Sequence, residues 1–140
     1  MLDRAVIDSS ILAKNAFEED GSDIVRRWLI TGPALFAPDH LATEMLSVGF
    51  KKARDGLAPA DRALGAAVAS LNSVEALTPS LGLADAAFRL ALSTRASLYD
   101  SLFLALALEL GLPLVTADLK LVERVRAHAP EITCLTLADL

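Results

Sequence analysis

Apolar positions along the chain follow two rhythms. Short apolar runs of strand length occur at Arg4-Ala5-Val6-Ile7, Ala34-Leu35-Phe36-Ala37, Val74-Glu75-Ala76-Leu77, Leu114-Val115 and Thr133-Cys134-Leu135. Between them apolar residues recur at helical spacing. Ile11 to Ala16 makes a short turn or helix that Ser9 or Ser10 can cap. Ser22, after the polar break Glu18-Glu19-Asp20-Gly21, caps a helix to Ile30 whose stripe is Ile24, Val25, Trp28 and Leu29, with Arg26 and Arg27 off it. Thr31-Gly32-Pro33 stops it. Pro38 and Asp39 open a helix to about Arg54, with Leu41, Met45 and Val48 on one face, and Glu44 shares that face. Asp55-Gly56 ends it. Further helices run from Pro59 to about Leu71, from Leu83 to Thr94, and from Asp118 to Ala127.

One stretch breaks the amphipathic rule. From Tyr99 to Leu110 the chain is apolar on nearly every side, and Gly111 and Pro113 punctuate its end. Such a run reads as a helix buried in a core or an interface, too short to span a bilayer. Short strands alternating with helices predict an α/β fold with a central, mostly parallel sheet of four to five short strands flanked by helices. In such sheets ligands bind beyond the carboxyl ends of the strands.

The length of 140 residues suits one compact domain with one core. At 54% apolar and 22% charged the chain is globular, not disordered. A mean hydropathy of +0.46 is high, and the excess is expected to mark a buried oligomer or partner surface. A net charge of −5 argues against broad, field-driven binding to nucleic acid, although an acidic pocket screened by metal ions is compatible with it. The single Cys134 forms no internal disulfide and reads as a buried small hydrophobe. The start, Met1-Leu2-Asp3-Arg4, carries no signal-peptide pattern, so a cytoplasmic protein is expected.

The chemistry lies in the acids. Asp8 directly follows Val6-Ile7, and Asp118 comes shortly after Leu114-Val115, which puts both at the carboxyl edge of the sheet. Asp100 opens the buried helix and Glu44 projects from the apolar side of its own. Charged carboxylates gathered together repel: at ~4 Å each pair costs roughly 4 kcal/mol at an effective dielectric of 20. Some must then be protonated or cations must sit among them. An all-oxygen set without His or Cys favours Mg²⁺ or Mn²⁺ over Zn²⁺. The chemistry that fits is metal-activated water attacking a phosphodiester. The hydroxyls of Ser9 and Thr116 are spaced to hold a carboxylate or a metal-bound water. Taken singly, Asp8 and Asp118 read equally well as helix N-caps, and Asp100 as a first-turn acid favoured by the helix dipole.

Other polar residues invite plainer readings. His40 and His128 have no partner at ligand spacing and read as surface or capping residues. Asp39 reads as a cap, Asp85 as solvated, and Glu123 as an ion-pair partner of Arg124 or Arg126. Lys51-Lys52-Arg54 is the compact basic cluster, either the solvated end of a helix or a track for RNA phosphates. Arg95, close in sequence to Asp100, is placed to neutralise the pocket or to touch substrate.

The segments Val6-Ile7-Asp8-Ser9-Ser10, Glu44-Met45-Leu46-Ser47-Val48, Tyr99-Asp100-Ser101-Leu102-Phe103-Leu104-Ala105-Leu106-Ala107 and Val115-Thr116-Ala117-Asp118 resemble the four acidic motifs of PIN-domain ribonucleases, most closely the VapC toxins of toxin–antitoxin pairs. The resemblance covers essentially the whole chain, and the third and fourth segments are its most specific part. It implies a PIN-like three-layer fold and a Mg²⁺- or Mn²⁺-dependent endoribonuclease with Asp8, Glu44, Asp100 and Asp118 as the metal-binding, catalytic carboxylates. It also implies a homodimer and inhibition by a cognate VapB-type antitoxin, with no membrane partner. One position departs from the pattern. Many relatives carry Asn three residues after the helical Glu, where this chain has Ser47, whose hydroxyl can still hydrogen-bond.

Two other readings compete. A catalytically inactive PIN-like module that binds protein or RNA would make the apolar surface the functional part, and Ser47 favours it. A phosphohydrolase acting through an aspartyl nucleophile would want a second acid two residues after Asp8, where Ser10 stands.

Overall fold

The computed structural model describes residues 1–140. Five short strands form one sheet: β1 (Arg4–Ile7), β2 (Ala34–Pro38), β3 (Ala76–Thr78), β4 (Leu114–Val115) and β5 (Cys134–Leu135). Their order across the sheet is β3-β2-β1-β4-β5 and every neighbouring pair is parallel. Seven helices flank it: α1 (Ser9–Ala16), α2 (Ser22–Ile30), α3 (Leu41–Arg54), α4 (Ala60–Ser70), α5 (Ala84–Thr94), α6 (Leu98–Leu110) and α7 (Leu119–His128). This is the α/β fold with a parallel sheet expected from the alternating pattern, in the three-layer form that the resemblance implies.

The central strand β1 is apolar on both faces because helices cover both, and Ala5, Val6 and Ile7 have no exposed surface. Its register sets the position of the first acid. Val6 pairs with Leu114 and Ile7 with Val115, so Asp8 and Thr116 leave the sheet side by side. The third strand is shifted from the sequence expectation, starting at Ala76 in place of Val74, because the Val74 N–H closes the 3₁₀ turn out of α4 on the Leu71 carbonyl and pairing with β2 begins only with the Glu75 N–H on the Leu35 carbonyl.

Helix α6 buries seven consecutive residues, Ser101 to Ala107. The all-apolar reading holds for this body and not for the last turn, where Leu108, Glu109 and Leu110 are exposed. Gly111 closes the helix at φ 63°, a left-handed conformation that costs glycine little. Asp100 sits half-buried in its first turn, behind the capping Ser97. No helix of the protein is long and apolar enough to cross a membrane.

Helices α3 and α4 approach closely at Gly49, where a Cβ would lie 2.9 Å from the Ala63 carbonyl oxygen. Their outer faces expose Leu46, Phe50, Leu64 and Val68, and a groove of about 270 Å³ runs between them. Much of the apolar excess is thus on the surface, not in the core.

Three capping expectations are corrected. Asp8, not Ser9 or Ser10, is the N-cap of α1, and both serines lie inside the helix. Gly21, not Ser22, is the N-cap of α2; Ser22 is buried, accepts from Glu19 N–H and donates to the Phe17 carbonyl, bracing the preceding turn. Asp39 caps no helix either. It accepts from the backbone and hydroxyl of Ser80, fastening the end of β2 to the start of the 3₁₀ turn (Ser80–Leu83) that follows the neighbouring strand β3, and these bonds hold its carboxyl below the usual range.

Candidate active site

The carboxyl edge of the sheet carries the site, in two halves. The first is built by β1 and β4. Asp8 is 6% exposed and is the N-cap of α1. Its Oδ1 accepts from the N–H groups of Ser10 and Ile11 and from the Ser10 hydroxyl, at 3.1, 3.4 and 2.5 Å. Its Oδ2 accepts from the Thr116 hydroxyl at 2.5 Å. Thr116 Oγ1 also accepts from Asp118 N–H, and Ser10 Oγ accepts from Ala117 N–H. Two hydroxyls therefore stitch the acid after β1 to the turn after β4. Asp118 is exposed and caps α7, accepting from Leu121 N–H at 3.1 Å. The capping and chemical readings do not exclude each other: the cap of Asp118 uses one oxygen only, and the Asp8 oxygen that the cap leaves is taken by the Thr116 hydroxyl, which still leaves it lone-pair capacity.

The second half is built by α3 and α6. Glu44, half-buried, accepts from the Ser9 hydroxyl at Oε2, 3.1 Å away. Its other oxygen, Oε1, lies 3.1 Å from His40 Nε2, one turn earlier. That Nε2 is directed at the Tyr99 carbonyl, also 3.1 Å away, so Glu44 Oε1 is in contact with the imidazole without an aligned hydrogen bond. Three buried polar atoms lack a hydrogen-bond partner, and all lie on these two helices or the turn before α3: His40 Nδ1, Glu44 Oε1 and Ser101 Oγ.

Electrostatics joins the halves. Burial pushes the Asp8 carboxyl from its ordinary 3.8 up to about 6, against the pull of its hydroxyl and N–H donors, and the nearby charge of Asp100 adds to the rise. Asp100 is raised too, first by burial, then by the charges of Asp118 and Glu44, with Ser97 and His40 opposing. The four acids of the sequence analysis thus share one field. They do not form a closed cage: no three His, Cys, Asp or Glu side chains meet at one point as ligands do. The donor set is nonetheless of the right kind for a hard divalent cation. It is all carboxylate oxygen, it is short of positive charge, and it includes an orphaned oxygen, Glu44 Oε1.

The remaining expected residues divide. Ser9 and Thr116 hold carboxylates, but not the ones beside them in sequence: Ser9 donates to Glu44 and Thr116 to Asp8, while Ser10, read only as a cap, is the further hydroxyl on Asp8. Ser47 is exposed and holds no acid. Lys51 is exposed and free for a phosphate, whereas Lys52 is half-buried and salt-bridged to Glu19 at 2.9 Å, over the ring of Phe17. Arg95 ends α5 at φ 59° and is exposed; its carbonyl accepts from Arg124. Glu123 forms no ion pair, while Asp85 is exposed and pairs with Arg89. Cys134 is buried and its thiol is pushed up to about 11 by that burial.

His40 is the residue that the sequence analysis misplaced, as surface or cap. It provides no side-chain cap to α3 and instead sits among the acids, its ring 4.6 Å from that of Phe103. The signal was present: His40 and Glu44 stand at i and i+4, one helical turn apart.

A buried aspartate at the end of the central strand, with Asp100 in its field and Glu44 and Asp118 in the field of Asp100, makes one acidic edge on an all-parallel sheet. The family model of the PIN domain matches residues 5–127, and the chain belongs to the PIN domain family, whose members are typically nucleases. The fold is similar to the crystal structure of PAE2754 from Pyrobaculum aerophilum, with a TM-score of 0.72 over 99% of this chain and 86% of that one, at 22% sequence identity. No curated protein matches the chain.

Proposed function

We propose that the protein is a Mg²⁺- or Mn²⁺-dependent endoribonuclease, acting as the toxin of a VapBC-type pair. The observation that carries the reading is the common field of Asp8, Glu44, Asp100 and Asp118 at the carboxyl edge of a PIN-family sheet. A buried acid shifted to about 6 in the absence of a cation is poised to gain from one.

Asp8 and Asp100 would be the principal ligands, with Glu44 and Asp118 completing the set. A divalent ion held there lowers the pKa of water and stabilises the attacking and leaving oxygens of a phosphodiester. The chain's own residues do the rest. Ser10 and Thr116 fix the Asp8 carboxylate so that both of its oxygens keep their direction. Ser9 restrains Glu44. Lys51 is the exposed cation without an ion-pair partner on the helix that carries Glu44, since Arg54 pairs with Asp55, and it is available to a flanking phosphate.

The partner part of the reading rests on different support. The exposed apolar faces of α3 and α4, with Phe50 66% exposed, suit a homodimer or a cognate VapB-type antitoxin. The runner-up, a PIN-like module without catalysis, is favoured by exposed Ser47, which contributes nothing to the acids. RNA cleavage by the purified protein with and without Mg²⁺, repeated with Asp8→Asn, separates them. The expected result is ion-dependent cleavage that the substitution abolishes in a folded protein. Equal behaviour of wild type and variant overturns the nuclease reading.

A further inference from the structure

We propose that His40 is a positioning residue of the acidic centre: a single imidazole N–H couples the Glu44 carboxylate on α3 to the first turn of α6, from which Asp100 projects. The inference rests on the nuclease reading above.

The Tyr99 carbonyl can only accept, so the Nε2 that faces it at 3.1 Å carries the proton. Glu44 Oε1 lies 3.1 Å from the same nitrogen. One N–H therefore bonds the carbonyl of the residue before Asp100 and lies in side-on contact with the Glu44 carboxylate, which its partial positive charge attracts without an aligned bond. The ring cannot swing away easily. It packs 4.6 Å from Phe103 and 6.2 Å from Tyr99, both on α6, and His40 is 13% exposed in its side chain.

Glu44 is consequently held from two sides. Ser9 at the start of α1 donates to Oε2, and His40 flanks Oε1. A glutamate side chain left free loses rotamer entropy each time it is ordered about a ligand. Restrained in advance, it presents an oxygen that no protein donor satisfies and that a cation can take. His40 thereby fixes the relation of two acids that lie 56 residues apart in sequence (Glu44 and Asp100).

The test is a Mn²⁺ titration of the full chain by calorimetry or electron paramagnetic resonance, with kcat and KM for RNA cleavage and a melting curve. His40→Leu keeps an apolar body and removes the N–H. His40→Gln carries an amide N–H at about the reach of Nε2, and His40→Asn falls short of it. His40→Leu and His40→Asn are expected to weaken Mn²⁺ binding about 10-fold and to lower kcat with KM for RNA little changed. His40→Gln is expected to recover most of both. Wild-type Mn²⁺ affinity in His40→Leu overturns the proposal. So does a Gln variant no better than Leu or Asn, which would reduce His40 to a packing residue against Phe103. If His40→Leu does not fold, the Gln-against-Asn comparison decides by the same criteria. Asp8→Asn run alongside keeps the two claims apart: unchanged Mn²⁺ binding and cleavage in that variant overturns the nuclease reading itself, whereas loss there with no His40 effect overturns only this one.

Discussion

The two halves of the acidic centre are made differently. On the β1–β4 side the acid is short, buried and over-supplied with donors: Asp8 takes two backbone N–H groups and two hydroxyls. On the α3–α6 side the acid is long and half-exposed, and the three unpartnered buried polar atoms of the molecule lie on these helices or at the turn into α3. Strand register makes the first half. Val6 opposite Leu114 and Ile7 opposite Val115 leave Asp8 beside Thr116 with no freedom to separate. Helix packing makes the second, where Glu44 and Asp100 come from elements bridged by side chains such as His40. A rigid half and an adjustable half suit a site that must hold a cation in one place yet accept a phosphate as a further ligand.

The largest expected effect comes from removing the charge of the rigid half. Asp8→Asn should abolish ion-dependent RNA cleavage while raising stability in the absence of divalent ions. Proton linkage gives the sign. The folded-state value of about 6 lies above the ordinary 3.8, so the folded protein binds the Asp8 proton more tightly than the unfolded chain does. Its contribution to stability is fully present below about pH 4 and is lost as the pH rises through about 6, a loss of about 3 kcal/mol by pH 8. Denaturant titrations in chelator at several pH values should show that decline in the wild type and its absence in Asp8→Asn. Added Mn²⁺ should restore stability to the wild type alone. A flat wild-type profile would mean that Asp8 bears no strain and that the two halves are alike.

Next in size is Thr116→Val. Thr116 has no exposed surface, and its hydroxyl serves Asp8 and Asp118 N–H together. Losing a hydrogen bond to a buried charge costs roughly 1.5–3 kcal/mol. The cost should be full near pH 8 and shrink as the pH falls through about 6, where the folded protein takes up the Asp8 proton, because losing the donor raises the Asp8 carboxyl further. In a double-mutant cycle with Asp8→Asn the two effects should be non-additive. Additivity would show that Thr116 matters for packing alone.

How much of this was legible in the sequence divides along the same line. Part of the rigid half was readable, because an acid directly after an apolar strand run, with Thr116 two residues before another, is a local pattern that parallel register converts into contact, whereas Ser10, read as a cap, gave no sign of its bonds to Asp8 and the Ala117 N–H. The five strands and the seven helices followed from alternation, with most boundaries off by a residue or two; the largest miss is α3, expected from Pro38 and found from Leu41, because Pro38 is the last residue of β2. Their order across the sheet did not, since periodicity names no neighbours. The adjustable half was readable only as acids. That Glu44 and Asp100 feel each other's charge depends on how α3 sits against α6, and periodicity gives a residue's face, not its neighbour on another element. His40 was misread for that reason, since its second partner, the Tyr99 carbonyl, lies 59 residues away. Asp39 and Ser22 were misread as caps because both types favour helix starts, yet each found a partner outside its helix. The surface apolar excess was legible in composition, but not its location on α3 and α4.

The smallest effect is the sharpest probe of the difference. Ser9→Ala removes the hydroxyl that holds Glu44 Oε2, a bond to a partly solvated carboxylate worth about 0.5–1.5 kcal/mol. Ser9 is also the first residue of α1, where alanine is the better helix former by a few tenths of a kcal/mol. The two changes oppose each other, so the net loss of stability should stay below about 1 kcal/mol in a denaturant titration. Mn²⁺ affinity should nevertheless fall several-fold, because the freed carboxylate must be ordered when the ion arrives. The rigid half predicts the opposite proportion for Thr116→Val, a clear loss of stability at pH 8 with direct damage to the site. A Ser9 variant that lost as much stability as the Thr116 variant would place Glu44 in the rigid half. The adjustable oxygen beside His40 would then have to be restrained by Ser9 far more than by the imidazole.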